Sequence, residues 1–343
     1  MPTSPDPLDL PGLLGASGSP ATRRLFLRLA GLATAAAAFP RAGPAAAASA
    51  DSGSAATPET GFTVEIAPGV FAHKGHVAVY APDNGGDVSN AGFIVGREAV
   101  AVIDTGGSAR VGAQLHAAIR ARTPLPIRYV INTHMHPDHV FGNAAFEADR
   151  PAFVAHHKMA RGLAARAERY LAINRAAMGE AAFEGTRIVL PTLPVSAPLR
   201  LDLGGREIVL EPQKTAHTDN DLVIRDPQTE TAFLGDLLFV EHVPSLDGSI
   251  VGWQDVLSAL AATPAQRVVP GHGAPSMPWP EAAQPIRRYL KVVTDEIRAL
   301  LKENRTLSDA TATVGLSEKD AWELFEDYHA RNVSAAFAEL EWE

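Results

Sequence analysis

From Phe62 onward the chain groups its apolar residues in short, regular runs, which residues 1–60 do not. Phe62–Ile66, Val70–Ala72 and Val77–Tyr80 read as strands of an opening meander. Gly92–Val95 and Val100–Ile103 flank Gly96-Arg97-Glu98 and read as a hairpin. Asp104-Thr105-Gly106-Gly107 is a turn, and Ser108 stands where it can cap a helix over Ala109–Ala121. Ile127–Ile131 reads as a buried strand, Phe153–Ala155 as a short one, and Lys158 to Phe183 as a helix. Strand signals return at Leu199–Leu201, Glu207–Leu210, Leu222–Ile224 and Ala232–Leu234. Gln254–Ala261 is helical, Val268–Val269 is a brief strand, and Ala282–Glu303 is a helix followed by two shorter ones. A meander, then helices between strands, then the same again predicts an α/β fold. Its architecture is a four-layer αββα sandwich with a helical C-terminal segment at 279–343. One domain spans 61–343, with no linker inside it.

Residues 1–60 are rich in Pro, Ala, Gly and Ser and carry no fold signal. Thr22-Arg23-Arg24-Leu25-Phe26-Leu27 precedes an Ala/Leu-rich stretch from Leu29 to Phe39, and Ala48-Ser49-Ala50 follows. This resembles a twin-arginine signal peptide over 1–50, with 51–60 as a flexible mature N-terminus and the periplasm as destination. The competing reading is an Arg pair in an Ala-rich tail. The apolar stretch is too short and too rich in Ala for a membrane span. No Cys follows it, so no lipid anchor is expected.

The 343 residues are 46% hydrophobic and 20% charged, ordinary for a globular chain, and the formal net charge is −9. The balance is more negative still from Asp51 onward, because residues 1–50 carry four Arg and two Asp. An acidic surface does not suit a nucleic-acid partner, which needs a basic footprint. There is no cysteine, so disulfides and thiolate metal ligands are excluded.

The chemistry concentrates in Thr133-His134-Met135-His136-Pro137-Asp138-His139. Imidazole and carboxylate are good zinc ligands, and His134 and His136, one residue apart, can chelate one ion. Asp138 and His139 then point away from it, with Pro137 stiffening the turn. Four ligands on so short a loop do not wrap one small tetrahedral ion, so a second ion beside it is the economical reading. His217, Asp236 and His272 each follow an apolar run and supply the remaining ligands, and Asp236 can bridge. Ligands at strand ends gain rigidity from the sheet and leave one side open to substrate.

At these residues the chain resembles the metallo-β-lactamase-fold superfamily. His-x-His-x-Asp-His, a later His, a Gly-Asp and a Gly-His come in that family's order over roughly residues 62–275. The resemblance implies a first metal held by His134, His136 and His217. It implies a second held by Asp138, His139 and His272, with Asp236 bridging. Asp104, in Ile-Asp-Thr-Gly, would stand behind the ligands and orient their loop. More narrowly, Ile131–Ala145, Thr215–Asp221 and Leu234–Gly248 resemble zinc metallohydrolases associated with periplasmic quinoprotein dehydrogenases and the Sox sulfur-oxidation system. One departure stands out: family members often place Gly shortly after the third His, where this chain has Asp219-Asn220-Asp221. Asn tolerates a left-handed backbone and can preserve the turn.

The implied activity is metal-dependent hydrolysis with two Zn²⁺, iron being the alternative. A shared water ionises near neutral pH and attacks an ester-, thioester- or lactone-like small-molecule substrate, while Asp138 orients the nucleophile and relays its proton. Lactamase action is not favoured, because many lactamases of this fold use a Cys ligand and the Cys-free class generally lacks the bridging Asp. The rivals are a non-haem iron dioxygenase acting on persulfides and a metal-bearing accessory protein of the dehydrogenase system. Asn143 and His242 are candidates for substrate contact, each weighed against simple packing. His156 and His157 can border the cleft. His73 and His76 read as surface residues, His116 and His329 as non-ligands, and the Arg/Glu-rich 161–169 as a solvated helix face.

Overall fold

The computed structural model describes residues 61–343; the signal-peptide and flexible N-terminal readings lie outside the described residues. The first sheet has seven strands in the order β1 (Val64–Ala67), β2 (Val70–His73), β3 (Ala91–Val95), β4 (Val100–Ile103), β5 (Ile127–Ile131), β6 (Ala152–His156) and β7 (Leu193–Val195). Its meander is antiparallel as far as β4, and β4 to β7 run parallel. The second sheet contains β8 (Leu199–Asp202), β9 (Glu207–Pro212), β10 (Leu222–Asp226), β11 (Thr231–Phe239), β12 (Arg267–His272) and β13 (Met277–Pro278). These are adjacent in sequence order, antiparallel except for β11 and β12.

Strand periodicity assigns the layers, because alternate side chains leave a strand on opposite faces. Ala101 and Ile103 of β4 enter the core between the sheets, where they join Ile131, Leu210, Leu222, Ile224 and Phe233. Val100 and Val102 of the same strand face outward, against Leu115 and Ile119 of α1 (Ala109–Arg122). On the other side, Val223, Ala232 and Leu234 face outward. They meet the core of α5 (Ile250–Ala261), α6 (Ala283–Lys302) and α8 (Phe325–Leu340). The result is the expected αββα sandwich. Helices α6, α7 (Leu307–Thr313) and α8 form the C-terminal segment. Among the described residues no helix is long and apolar enough to cross a membrane.

Several local expectations are corrected. Val77–Tyr80 is not a strand. After β2 the chain leaves the sheet and bonds to itself, with His76 N–H donating to the Asp87 carbonyl and Asn84 closing the turn around Ala81 and Gly86. The predicted long helix breaks at Gly179 (φ 80°) into α3 (Met159–Met178) and the short α4 (Glu180–Phe183). β7 has no counterpart among the expected strands; it contains Pro194, and as an edge strand it tolerates the missing donor. α5 starts four residues earlier than its apolar pattern predicts. Ser249 caps it by accepting from Gly252 N–H, and the distant Glu339 carboxylate accepts Ile250 N–H at 2.7 Å.

Candidate metal centre

The two sheets bring the seven expected ligands together. His134, His136, His217 and Asp236 place donor atoms within 4.8 Å of one another, and Asp138, His139 and His272 do the same. Asp236 lies between the groups. Its Oδ1 is 3.1 Å from His139 Nε2, and its Oδ2 is 3.4 Å from both His217 and His272 Nε2 and 3.7 Å from His134 Nε2. Asp138 Oδ2 is 3.3 Å from His272 Nε2 and 3.4 Å from His139 Nε2. Donors bound at about 2.0–2.1 Å around a tetrahedral ion lie about 3.4 Å apart, so these spacings suit ligation.

Backbone features make the clustering possible. The ligand run leaves β5 and turns into the one-turn helix α2 (Pro137–Val140), with His136 at its N-cap and Pro137 at its start. Asp236 lies within β11, and His272 ends β12 beside it. Gly271 lets them approach: a Cβ there would lie 1.8 Å from Asp236 Oδ1.

What stands behind the ligands identifies them as electron-pair donors. His217 Nδ1 donates to the Ser245 carbonyl (2.6 Å), and His272 Nδ1 to the Val88 carbonyl (2.9 Å). His139 Nδ1 donates to Asp104 (2.9 Å) and His136 Nε2 to Asp247 (3.0 Å). His134 Nδ1 donates to Thr133 Oγ1 (3.0 Å), whose own proton goes to Asp104 at 2.7 Å. Carbonyls and carboxylates only accept, so in all five rings the outer nitrogen carries the proton and the inner nitrogen of the neutral ring is a bare lone pair. His134 Nε2, His139 Nε2 and Asp236 Oδ1 are buried without a hydrogen-bond partner. His217 Nε2 faces His136 Nδ1 at 3.0 Å, two lone pairs that repel unless a cation joins them.

The electrostatics agree. Burial pushes His217 down to about 3, and burial with the charge on His139 pushes His134 well below the usual imidazole range. Burial opposes charge on Asp236 too, yet His272, His139 and His134 hold it well below the usual carboxylate range. His272 goes the other way: burial disfavours its charge, but Asp236 and Asp138 draw it up to about 9. His134 and His217 thus favour the neutral imidazole, and the second triad attracts positive charge that a cation supplies when it displaces the proton. The seven residues fit two divalent ions.

Asp104 stands behind the loop that carries His134 and His139. At φ 54°, a conformation Asp tolerates, its carboxylate accepts from Thr133 N–H, Thr133 Oγ1 and His139 Nδ1. Asn143 does not face the cleft. It is fully buried, pairs reciprocally with Asn132 and accepts from Thr105, and so clips the ligand loop. His242 is buried beside the centre, its ring 4.8 Å from those of His272 and Tyr328. His73 is a correction: it is buried, stacked on Phe62 and bonded to Asp87. His156 and His157 hold their rings tilted against each other and join neither group, and His116 pairs with Asp149.

Sequence reasoning passed over Asp247, Arg166 and three tyrosines. Asp247 accepts from His136 and from Arg166 Nη1, both at 3.0 Å. Arg166 therefore turns inward from the helix face expected to be solvated. Burial opposes Asp247's charge, but the hydrogen bond from His136 and the charge of Arg166 hold it at about 2. Tyr80 faces Asp138, Tyr328 feels Asp138 and Asp236, and Tyr170 feels Arg166 and Asp247; burial, the largest influence on each, raises all three. Tyr80 was hidden in a mispredicted strand. The Asp219-Asn220-Asp221 turn survives by another means than expected. Asn220 has no positive φ, and the Asp221 carboxylate accepts from Thr218 N–H (2.9 Å) and Oγ1 (2.7 Å).

Residues 84–272, more than half of the chain, match the family model described as the metallo-beta-lactamase superfamily. Similar solved structures include a metallo-beta-lactamase from Pontibacter korlensis, 19% identical with a TM-score of 0.53, the match covering 67% of this chain and 98% of that one. TMB-1 is 20% identical with a TM-score of 0.52, covering 67% and 96%. A double mutant of the sec-alkyl sulfatase PisA1 is 16% identical with a TM-score of 0.57, covering 73% of this chain and 44% of the other. At these identities the likeness is one of fold. No curated protein matches the chain.

Proposed function

We propose that this chain, which belongs to the metallo-beta-lactamase superfamily of metal-dependent hydrolases, holds two Zn²⁺ ions and hydrolyses an ester-, thioester- or lactone-like small molecule in the periplasm. The observation that carries this is the set of five imidazoles, each with its outer proton pinned and its inner nitrogen aimed at Asp236 or at a neighbouring ligand. When bound, the two ions supply a hydroxide nucleophile at neutral pH and a counter-charge for the substrate's developing oxyanion.

The chain's own residues do the rest. Asp138 keeps some exposure at the mouth, and His139 and His272 hold its carboxylate ionised against the cost of burial, so it can take the proton of the attacking water. Tyr80 and Tyr328 stay neutral phenols and can donate to substrate oxygens beside Asp138. Buried aromatic walls from Phe239, Trp253 and His242 limit water around the centre. Neither a Ser nor a Cys nucleophile is required. The bridging position of Asp236 supports thioester or lactone hydrolysis over lactamase action.

The test is metal analysis of the protein lacking residues 1–50, paired with a panel of thioesters, lactones, esters and a chromogenic lactam. Two zinc ions per chain and turnover of a thioester or lactone that chelation abolishes are expected. Full turnover by metal-free protein sinks the proposal. Periplasmic export is tested by fusing residues 1–50 to a folded reporter, which should stop crossing when Arg23 and Arg24 become Lys.

A second reading rests on the donor set of Asp138, His139 and His272. Two imidazoles and one carboxylate suit non-haem iron(II), as in a persulfide dioxygenase. Iron in the purified protein, with oxygen uptake on adding a persulfide, would replace the hydrolase reading.

A further inference from the structure

We infer that the C-terminal helix α8 is part of the support of the first metal triad, and that Asn332 is the positioning residue through which it acts. The inference rests on the metal reading above. Two of the three imidazoles in that triad are oriented by one loop. The Ser245 carbonyl accepts from His217 Nδ1, and two residues later Asp247 accepts from His136 Nε2. Asn332 grips that loop on both sides of Ser245. Its Nδ2 donates to the Pro244 carbonyl (2.5 Å), and its Oδ1 accepts from Leu246 N–H (2.9 Å).

The grip is itself fixed by a directional chain of hydrogen bonds. His329 Nε2 donates to the Val314 carbonyl (2.8 Å), so its Nδ1 accepts from the Tyr289 hydroxyl (2.9 Å). The Tyr289 oxygen then accepts the second proton of Asn332 Nδ2 (2.9 Å). Asn332 is 2% exposed, and each of its three hydrogen-bonding sites (one oxygen, two N–H) is used. Further along α8, Glu339 accepts from Ser249 Oγ (2.6 Å) and Ile250 N–H, fixing the far end of the same loop.

The imidazoles of the second triad take their outer hydrogen bonds elsewhere. His139 leans on Asp104 and His272 on the Val88 carbonyl, both inside residues 84–272. Tyr289, His329, Asn332 and Glu339 all lie beyond that span. Through the hydrogen bonds behind the imidazoles, α8 therefore acts on one ion of the pair; toward the other it offers only the packing of Tyr328 on His242, whose ring meets that of His272.

The experiment measures both Zn²⁺ affinities of the protein lacking residues 1–50, by chelator competition, together with the visible spectrum of its Co²⁺ form. Asn332→Ala is compared with Asn332→Asp, which keeps the size and the acceptor for Leu246 but cannot donate to Pro244. Asn332→Ala is expected to weaken one ion about tenfold, at the lower end of the effect of residues behind a ligand. The other ion should be unchanged, with Asn332→Asp intermediate and the Co²⁺ spectrum altered at one site. Asp104→Asn should weaken the opposite ion more, through its direct bond to His139, than the first, which it reaches only through Thr133 and His134. Equal loss of both ions in either Asn332 variant, or loss of neither, overturns the inference while leaving the metal reading intact. A parent protein that takes up no zinc overturns both.

Discussion

The two halves of the metal centre differ in what stands behind them. Behind Asp138, His139 and His272 are a carboxylate on the turn after β4 and a backbone carbonyl that precedes β3. Behind His136 and His217 is a loop after β11 that is held by a helix near the C-terminus. One half is anchored in the N-terminal sheet and the other is suspended between the second sheet and its outer helices. Asp236 joins them, so a disturbance of either half is read through one shared carboxylate.

The largest effect is expected where the halves meet. Asp236→Ala removes the shared ligand and leaves four inward imidazole nitrogens around an apolar methyl. Both ions should be lost, and activity should fall by more than about 1,000-fold, beyond the 10–100-fold typical of residues behind a ligand. Gly271→Ala should do nearly the same without touching a ligand, because its methyl needs the space of Asp236 Oδ1. If metal content and turnover survive Gly271→Ala, Asp236 is not the joint between the halves.

Next is Asp104→Asn, which sharpens the comparison on the sheet side. Asn keeps the left-handed backbone and an acceptor for Thr133 N–H, but its amide cannot accept from His139 and Thr133 Oγ1. The second ion should bind about 10–100-fold more weakly, and the first should weaken less, because Thr133 Oγ1 stands between Asp104 and His134. Stability should fall by about 1–3 kcal/mol, since a buried donor loses its partner. Chelator titration and thermal melting of the metal-free protein separate the two effects.

The candidate ligands were legible because metal chemistry demands particular residue types in a short span, such as His134 to His139. The layers were legible because strands such as Val100–Ile103 alternate between two cores. What supports the ligands was not. In Ser245-Leu246-Asp247-Gly248 a lone Asp before Gly reads as an ordinary turn, and its role depends on His136, which is 111 residues away. Asn332 is one polar residue on an otherwise regular helix. The start of α5 was invisible for the same reason: its first donor is satisfied by Glu339, 89 residues later. Val77–Tyr80 had the composition of a strand but no neighbour to pair with. Local pattern records local physics, and the suspended half of the centre is held by contacts distant in sequence.

A smaller effect is expected at Asp247, on the suspended side. Asp247→Asn keeps the shape but removes the charge that opposes Arg166 and orients His136. The first ion should weaken about tenfold, and the second should not change. Loss of the second ion first would reverse the assignment of the two halves.

The smallest effect concerns Asp221, which closes the turn after His217. Burial pushes its carboxyl up to about 8, against the hydrogen bonds from Thr218, and the charge of Asp236 adds to the rise. The folded state therefore holds a proton that the unfolded chain, with the ordinary value of 3.8, releases. The stability this contributes is complete below about pH 4 and is lost as pH rises toward about 8, at no more than about 1.4 kcal/mol per pH unit. In the metal-free protein, Asp221→Asn should thus gain on the parent in melting temperature between pH 5 and pH 8, by a few degrees. Zinc compensates the charge on Asp236 and should shrink that gain, so the Asp221 pH dependence becomes a thermal reading of whether the shared carboxylate is occupied. A gain that is the same with and without zinc would mean that Asp221 does not sense Asp236, and that the turn after the third histidine is electrically separate from the joint.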